Sequence, residues 1–176
     1  MLPVFEELSL SLRARYPYLY LLTWEEERAE RGVADVATEL DRPLLTWSST
    51  TGLLGADGVV EGTRSALGLL DALASTPGPG IALLRDFHAH IEDPDVVRRL
   101  RDLRASFGAD GWGLVFVSPR ATIPPELEKD IAVLDLPLPG LAEVAKLFHA
   151  LLRGEKQQIE LDLFERFVKA SLGLTE

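Results

Sequence analysis

The sequence predicts an α/β fold, a three-layer sandwich built on a five-stranded parallel sheet and followed by a C-terminal helical pair. Its central segment is Ile81–Asp86, read IALLRD, in which four apolar residues follow one another without alternation. Such a run is typical of a strand covered on both faces, as in a parallel sheet. Short runs of this kind alternate along the chain with segments of helical spacing. That alternation predicts parallel strands joined by right-handed helical crossovers.

The composition indicates a globular chain and excludes several kinds of site. Of the 176 residues, 47% are hydrophobic and 26% are charged, which is enough to bury a core. The chain has no cysteine, so disulfides, thiol nucleophiles and thiolate metal sites are excluded. No apolar run approaches the roughly 18 residues of a membrane helix, and the start MLPVFEELS lacks a basic n-region. We therefore expect a cytoplasmic protein with no membrane partner.

The charge balance argues against a nucleic-acid partner. The formal net charge is −10, whereas binding to a phosphate backbone depends on a positive surface. The one basic cluster, formed by Arg98, Arg99, Arg101 and Arg104, is interrupted by Asp102. We interpret it as a solvated helix face.

The first two strands are expected on either side of a long helix. A short helix over residues 4–15 precedes the first strand, Tyr18–Thr23. Thr23 and Glu26 have the spacing of a capping box, so the following helix is predicted to start with Thr23 as its N-cap. The second strand is Leu44–Trp47.

A glycine-rich segment, Ser48–Gly62, follows the second strand and is predicted to be a loop on the rim of the sheet. Thr63 is then expected to cap a third helix, whose buried stripe is Ala66, Leu67, Leu70 and Leu73. This loop and the acidic surface are the places where we look for a protein partner.

Capping residues and apolar runs define the second half of the sheet. Asp93 and Pro94 predict the N-cap and first residue of a fourth helix, which is expected to end near Gly108. The fourth and fifth strands are Gly113–Ser118 and Ile131–Leu136.

Beyond the sheet the pattern becomes purely helical. One helix is predicted from Leu141 to a break at Gly154, and a second follows from Ile159. His149 lies near the apolar stripe of the first helix and is interpreted as a packing residue. The chain is thus divided into an α/β domain, residues 1–139, and a helical extension, residues 140–176.

The turn after the first strand is where a sheet of this kind holds nucleotide phosphates. That task needs glycines, whose backbone N–H groups wrap the phosphate oxygens, and a lysine that reaches the terminal phosphates. Here the turn Trp24–Arg28 reads WEEER, with three carboxylates and neither glycine nor lysine. We predict that the chain does not bind ATP through a phosphate loop, and we assign it no catalytic and no cofactor-binding residue.

A possible metal site follows the central strand. Asp86, His88 and His90 lie together in the sequence, with Glu92 and Asp93 close behind. Imidazole and carboxylate groups can form a metal site, which would suit a small metal-dependent hydrolase or phosphatase. The simpler interpretation is that Asp86 caps a turn and both histidines are ordinary rim residues. We keep the hydrolase as the alternative function.

Two further chemistries have weaker support. Ser118, His88 and Asp86 contain the residue types of a catalytic triad, but no Gly-x-Ser-x-Gly elbow surrounds the serine. A receiver-like signalling domain would need acids at the end of the first strand, whereas Glu25–Glu27 lie within a helix start.

Each tryptophan of the chain lies at a predicted strand boundary. Trp24, Trp47 and Trp112 could be exposed anchors for a protein partner, or they could pack at the rim of the sheet. We favour rim packing.

Several long blocks together resemble the N-terminal region of a group of bacterial, cyanobacterial and algal-plastid AAA+ ATPases first catalogued as a hypothetical chloroplast reading frame (Ycf). The blocks are RARYPYLYLLTWEEERAE, RPLLTWSSTTGL, IALLRDFHAHIEDPDVVRRLRDL and IPPELEKDIAVLDLPLPGLAEV. The resemblance runs from about Arg13 to the C-terminus. It implies a degenerate AAA-like core, of the P-loop NTPase class, with the strand order 5-1-4-3-2.

The resemblance also implies where the catalytic parts are missing. Trp24–Arg28 takes the place of the phosphate loop, and Leu83–Phe87 takes that of the magnesium-aspartate strand, without its glutamate. Ser118 stands where a sensor residue would be. The last residues, 172–176, resemble the entry to a complete AAA+ module.

The function implied is a non-catalytic N-terminal domain that serves assembly, regulation, or recognition of a partner or substrate. Its expected partner is its own C-terminal AAA+ module, where ATP and Mg²⁺ would bind, and the full-length protein is expected to be able to form oligomers. For this chain itself we expect no cofactor, no metal and no nucleic acid.

Overall fold

The computed structural model describes residues 2–154 and 159–171. It divides into two compact units, Met1–Leu136 and Pro137–Glu176. The first unit contains α1 (Pro3–Arg13), β1 (Tyr18–Leu22), α2 (Glu26–Glu39), β2 (Leu44–Ser48), β3 (Gly52–Gly55), β4 (Gly58–Val60), α3 (Ala66–Ala74), β5 (Gly80–Arg85), a 3-10 turn (Phe87–Ala89), α4 (Pro94–Asp110), β6 (Trp112–Ser118) and β7 (Ile131–Asp135). The second contains α5 (Leu141–Gly154) and α6 (Leu161–Ala170).

The sheet has seven strands in the order β4-β3-β2-β5-β6-β1-β7. The five predicted strands are β1, β2, β5, β6 and β7, and they pair in parallel. Their order is the 5-1-4-3-2 that the family resemblance implies. The prediction of a sheet with five parallel strands only is wrong, because β3 and β4 add an antiparallel hairpin at one edge.

The hairpin lies inside the segment that was predicted to be a loop, Ser48–Gly62. Its glycines indicate a loop, but Gly52 and Gly58 have φ of +85° and +109°, and these left-handed conformations allow the chain to enter each short strand. Within β3, Leu53 is buried and Leu54 is exposed, which is the alternation of a strand with one covered face.

Thr63 stabilises this hairpin and does not cap α3. Its hydroxyl oxygen accepts the Leu53 N–H at 2.8 Å, and the hydroxyl donates to the Val60 carbonyl at 2.6 Å. The N-cap of α3 is Ser65, whose side chain accepts the Gly68 N–H. The cap is displaced by two residues because Thr63 bonds to a strand that precedes it in the chain.

Two apolar cores cover the two faces of the sheet. Along β1, Leu19 and Leu21 belong to the core that contains α1 and α2. Tyr18 and Tyr20 belong to the core that contains α3 and α4. β6, the middle one of the five parallel strands, is buried along its whole length. β5, which contains the segment Ile81–Asp86 except for its last residue, is buried except at Arg85. The continuous apolar runs therefore have the physical cause that the sequence indicates, coverage from both sides.

The N-terminus of α4 lies where the sequence predicts it, and its C-terminus does not. Asp93 accepts the Asp95 N–H, and Pro94 is the first helical residue, as predicted. The helix continues past Gly108 and ends at Asp110, because Gly111, with φ of +82°, is the residue that takes the left-handed position.

In the second unit, aromatic contacts join the two helices. The Phe148 ring stacks on Phe167 at a centroid distance of 6.1 Å. The ring centroids of His149 and Phe164 lie 4.3 Å apart, which agrees with a packing role, but His149 is exposed and not partly buried as the sequence predicts. Residues 155–158, next to the predicted break, and 172–176, the predicted entry to an AAA+ module, lie outside the described residues. In the described ranges, none of the helices is long and apolar enough to cross a membrane.

Replacing a helical glycine by alanine is expected to have opposite effects on stability at Gly32 and at Gly108. A Cβ at Gly32 in α2 would lie 2.0 Å from Cζ of the buried Phe5 ring, whereas one at Gly108 in α4 would meet only a carbonyl oxygen at 3.6 Å. We expect Gly32→Ala to lower the free energy of unfolding by about 1–2 kcal/mol, because the ring must move. Gly108→Ala should raise it by about 0.5–1 kcal/mol through helix propensity. Urea unfolding measures both, and equal effects of the two changes would contradict the close packing of α1 on α2.

Candidate functional site

The candidate site is the sheet rim where β1, β5 and β6 end. α2 leaves β1 on one face of the sheet, and α4 leaves β5 on the other. Parallel α/β sheets bind ligands at such a change of direction, outside the carboxyl ends of the strands. The residues at this rim therefore decide what the fold can bind there.

The turn between β1 and α2 is short and has no glycine cradle. The Thr23 N–H donates to the Ser118 carbonyl at 3.0 Å, and the Thr23 hydroxyl oxygen accepts the Glu25 N–H at 3.0 Å. α2 begins at Glu26 with Glu25 in the N-cap position, so the predicted capping box from Thr23 to Glu26 is wrong. The side chain of Trp24 projects into solvent, with 76% of the residue exposed.

A buried ion pair lies at the start of α2. Glu25 Oε2 accepts from Arg28 Nη1 at 2.7 Å, and the two side chains are only 3% and 6% exposed. A carboxylate at a helix N-terminus interacts favourably with the helix dipole, which is also the interaction that a bound phosphate would use. The turn where a phosphate loop would present free N–H groups thus contains an acidic N-cap residue, whose carboxylate pairs with Arg28 and accepts no hydrogen bond from the helix N-terminus.

A second ionic cluster connects α2 to the end of β5. Arg85 Nη2 lies 2.5 Å from Glu30 Oε2, and Arg85 Nε lies 3.2 Å from Glu26 Oε1. Partial burial raises the pKa of Glu26. The carboxylates of Asp86, Glu30 and Glu27 raise it further, while Arg85 lowers it. The rim therefore carries more negative than positive charge next to α2.

The proposed metal ligands are not brought together. Asp86 has φ of +52° and an exposed side chain, and its Oδ1 lies 3.7 Å from His88 Nδ1, beyond hydrogen-bonding distance. His90 packs edge-on against Trp47 and Phe87. Within residues 2–154 and 159–171, no group of three or more His, Asp or Glu side chains could hold a metal. The alternative of a metal-dependent hydrolase or phosphatase is not supported.

Ser118 is part of a structural hydrogen-bond network. The hydroxyl oxygens of Ser118 and Tyr20 lie 2.7 Å apart, and the Arg120 carbonyl oxygen lies 2.8 and 2.9 Å from them, so one hydroxyl donates to the other and the second donates to the carbonyl. The residue is 3% exposed. These bonds fix the chain as it leaves β6, and none of them goes to His88, as a catalytic triad would require.

The three tryptophans have two different environments. Trp47 and Trp112 are 1% and 3% exposed, and their indole N–H groups donate to the carbonyls of Thr63 and Thr76. The rim-packing interpretation holds for these two residues and is wrong for Trp24. A tryptophan at a strand boundary can point into the core or into solvent, so its place in the sequence did not distinguish buried from exposed tryptophans.

Three of the four basic residues of α4 form ion pairs on the outer side of the helix. Arg98 pairs with Asp102, and Arg99 and Arg104 lie 2.7 Å from carboxylate oxygens of Asp71 and Asp130. Their charges are balanced within the fold, as expected of a solvated face.

Two open cavities lie on the first unit, and neither is lined by the turn between β1 and α2. The first, of about 470 Å³, is lined by Glu92, Pro94, Val97, Arg98, Arg101, Ile123, Pro124, Pro125 and Glu126. The second, of about 580 Å³, lies beside β4 and is lined by Thr51, Val59, Val60, Glu61, Gly62, Arg64 and Ser65.

Comparison with known proteins identifies the family of this chain. A family model described as "SpoVK-like AAA ATPase, N-terminal domain" matches residues 4–136. The chain belongs to this family. The resemblance to the Ycf group of AAA+ ATPases is thereby confirmed.

Relatives of this SpoVK-like N-terminal domain include two AAA domain-containing proteins named ycf46. The protein from Guillardia theta is 29% identical over 97% of the chain, and that from Trieres chinensis is also 29% identical over 97%. The chain covers 34% and 35% of those proteins, so it spans about a third of the length of the curated relatives it matches.

Solved structures similar to the SpoVK-like N-terminal domain support an AAA-like fold. A variant of RuvB from Thermotoga maritima has a TM-score of 0.66 at 18% identity and covers 96% of this chain and 55% of its own. The AAA domain of FIGL-1 in complex with ADP has a TM-score of 0.66 at 14% identity and covers 99% of this chain and 66% of its own. At these identities the likeness concerns the fold alone.

The sequence missed two features of the site in this SpoVK-like N-terminal domain. The Glu25–Arg28 pair was visible only as an i, i+3 spacing of opposite charges, which is common on exposed helices. The link from Arg85 to Glu26 and Glu30 joins residues at least 55 positions apart in the chain, and no local pattern indicates it.

The buried ion pair predicts strong coupling between its two members. Glu25→Leu or Arg28→Met removes the ion-pair partner of a buried charge, so each should lower the free energy of unfolding by about 3–5 kcal/mol. The double variant should lose clearly less than the sum of the two. The exposed pair of Arg13 and Glu39 is the control, and Arg13→Met should cost less than about 1 kcal/mol. Additive losses at Glu25 and Arg28 would show that the pair is not coupled.

The raised pKa of Glu26 predicts a pH-dependent effect. As the pH rises above 4.5, the ordinary value, the unfolded chain loses this proton first, and the folded state loses stability. Glu26→Gln removes this effect. Relative to the original chain, the variant should gain stability between pH 4 and pH 7. Urea unfolding at several pH values measures the gain, and an NMR titration midpoint for Glu26 at or below 4.5 would contradict it.

Proposed function

We propose that this chain is a non-catalytic N-terminal domain of an AAA+ ATPase that serves assembly, regulation, or recognition of a partner or substrate. The observation that carries the proposal is the turn between β1 and α2. There Glu25, whose carboxylate pairs with Arg28, is the N-cap residue of α2, in the turn where a nucleotide-binding domain would hold a phosphate.

Electrostatics support the absence of nucleotide binding. A triphosphate at this rim would meet Glu25, Glu26 and Glu27 at close range, and no lysine lies in the turn to balance its charge. Displacing Glu25 from Arg28 would leave a buried arginine without that partner, which is strongly unfavourable. Entry of a phosphate is therefore opposed both by repulsion and by the cost of breaking the pair.

The chain's relation to longer relatives supports a role beside an ATPase module. The relatives are AAA domain-containing proteins, and the chain matches about a third of their length. In this proposal, ATP and Mg²⁺ bind to a downstream AAA+ module, and this domain needs no cofactor. The module is then the first partner of the domain, and the full-length protein forms oligomers. The cytoplasmic location, expected from a sequence with no cysteine, remains part of the proposal.

Calorimetric titration of the 176-residue chain with ATP and ADP, each with Mg²⁺, tests the proposal. We expect no heat of binding in the titration and no release of inorganic phosphate in a separate ATP hydrolysis assay. Fluorescence of Trp24 provides a second measurement, because this exposed indole lies in the turn itself, while Trp47 and Trp112 are buried. An AAA+ domain with an intact phosphate loop is the positive control and should bind both nucleotides.

Two results would overturn the proposal. Tight ATP binding with a change in Trp24 fluorescence would mean that the turn accepts phosphate after all. ATP hydrolysis by the isolated chain that is lost on Trp24→Ala would mean that the domain is itself catalytic.

A further inference from the structure

The edge strand β4 is open to a further strand. It pairs with β3 on one side and is the last strand in the sheet on the other. Its residues Val59 and Val60 are 53% and 44% exposed. Because successive residues of a strand point to opposite faces, neither face of the sheet is fully covered at this edge. An exposed apolar edge is a template for main-chain pairing with another polypeptide.

An apolar row crosses the hairpin to this edge. Val59 lies opposite Leu54 of β3 in the antiparallel register, and Leu54 is 42% exposed. Directly opposite residues on one face contact each other, so Leu54 and Val59 form an apolar pair that stops at the open edge. A third apolar side chain, on an added strand opposite Val59, would continue the row.

The charges at the two ends of β4 define the partner's chemistry. Asp57 precedes the strand and Glu61 follows it, and both are exposed. Within the described residues, neither of them forms an ion pair. Both lie in the turns next to β4, two positions to either side of Val59. On an antiparallel strand, the residues two positions before and after the one facing Val59 would lie nearest to them. Basic side chains at those two positions would meet a carboxylate at each end.

We propose that β4 binds an extended segment of a partner polypeptide, in which a central apolar residue has Lys or Arg two positions before and two positions after it. The segment adds to the sheet as an antiparallel strand. Main-chain hydrogen bonds supply the part of the affinity that does not depend on the peptide's sequence, and the flanking charges supply specificity. The cavity of about 580 Å³ beside β4 offers room for side chains of the added strand.

The same charges disfavour a second copy of this chain as the occupant. In a symmetric antiparallel pairing centred on Val59, Asp57 of each copy would face Glu61 of the other. Like charges directly opposite each other are destabilising. The inference deepens the proposed function, on which it rests, by naming the surface and the chemistry of the recognised partner.

An NMR titration of the ¹⁵N-labelled 176-residue chain with the capped peptide Ser-Lys-Thr-Val-Thr-Lys-Ser tests this inference. We expect the largest amide shifts at Gly58, Val59 and Val60. The matched peptide with Glu in place of both Lys residues should bind about threefold to thirtyfold more weakly, since two exposed ion pairs are lost. The double variant Asp57→Lys/Glu61→Lys should reverse this preference.

Val59→Lys should abolish the shifts at β4. Val133→Lys is its control, because Val133 is 49% exposed on β7, the strand at the opposite edge of the sheet, and this change should leave binding intact. Unfolding curves of both variants check that they fold.

Three outcomes would overturn the inference: no shifts at β4, equal binding of both peptides, or a dimer in sedimentation that Val59→Lys disrupts. The last would identify a second copy as the occupant. These failures are distinct from failure of the proposed function. Every β4 variant keeps the turn between β1 and α2 intact, and nucleotide binding is measured separately.

Discussion

The requirement to cover both faces of the parallel strands organises the first unit. β1 shows it residue by residue: Leu19 and Leu21 pack beneath α1 and α2, while Tyr18 and Tyr20 pack beneath α3 and α4. A strand that is apolar on both sides is stable only between two layers, so the helices must lie on opposite faces. The same arrangement brings the starts of α2 and α4 to one rim of the sheet, next to the ends of β1 and β5. The location of the candidate site thus follows from the packing of the core.

At that rim, acidic side chains form ion pairs with arginines of the same unit. Glu25 pairs with Arg28 in a buried contact, and Arg85 is shared between Glu26 and Glu30. A P-loop domain keeps backbone N–H groups and a lysine available at the same place for a phosphate. Here the turn has no lysine, the Glu25 and Arg85 side chains form internal ion pairs, and the remaining charge is negative. The AAA-like fold is therefore present without the glycines and lysine of a phosphate loop, and the edge at β4 is a further exposed surface of the same unit.

Much of the fold could be predicted from the sequence, because the period of the apolar residues is a local property. The five parallel strands and the helices between them follow from it, and the N-cap at Asp93 follows from its own residue type. The hairpin of β3 and β4 could not be predicted in this way. Its strands are three and four residues long and rich in glycine, so their pattern is that of a loop, and they form only because β2 provides an edge for pairing. Thr63 was assigned to the wrong element for a related reason, since its hydroxyl bonds backward to Leu53 and Val60.

The sequence by itself determined the α/β class, the parallel core and the lack of a phosphate loop, since each depends on which residues stand next to one another. Its block resemblance to the Ycf group also identified the family correctly. Only the tertiary structure decided which ion pairs form at the rim, that Asp86, His88 and His90 do not converge, and that the sheet ends in an open edge at β4. The rim ion pairs and the edge depend on distances between residues far apart in the chain, such as Arg85 and Glu30, and the orientation of His90 depends on its packing against Trp47. Such distances are set by strand order and register and leave no local pattern in the sequence.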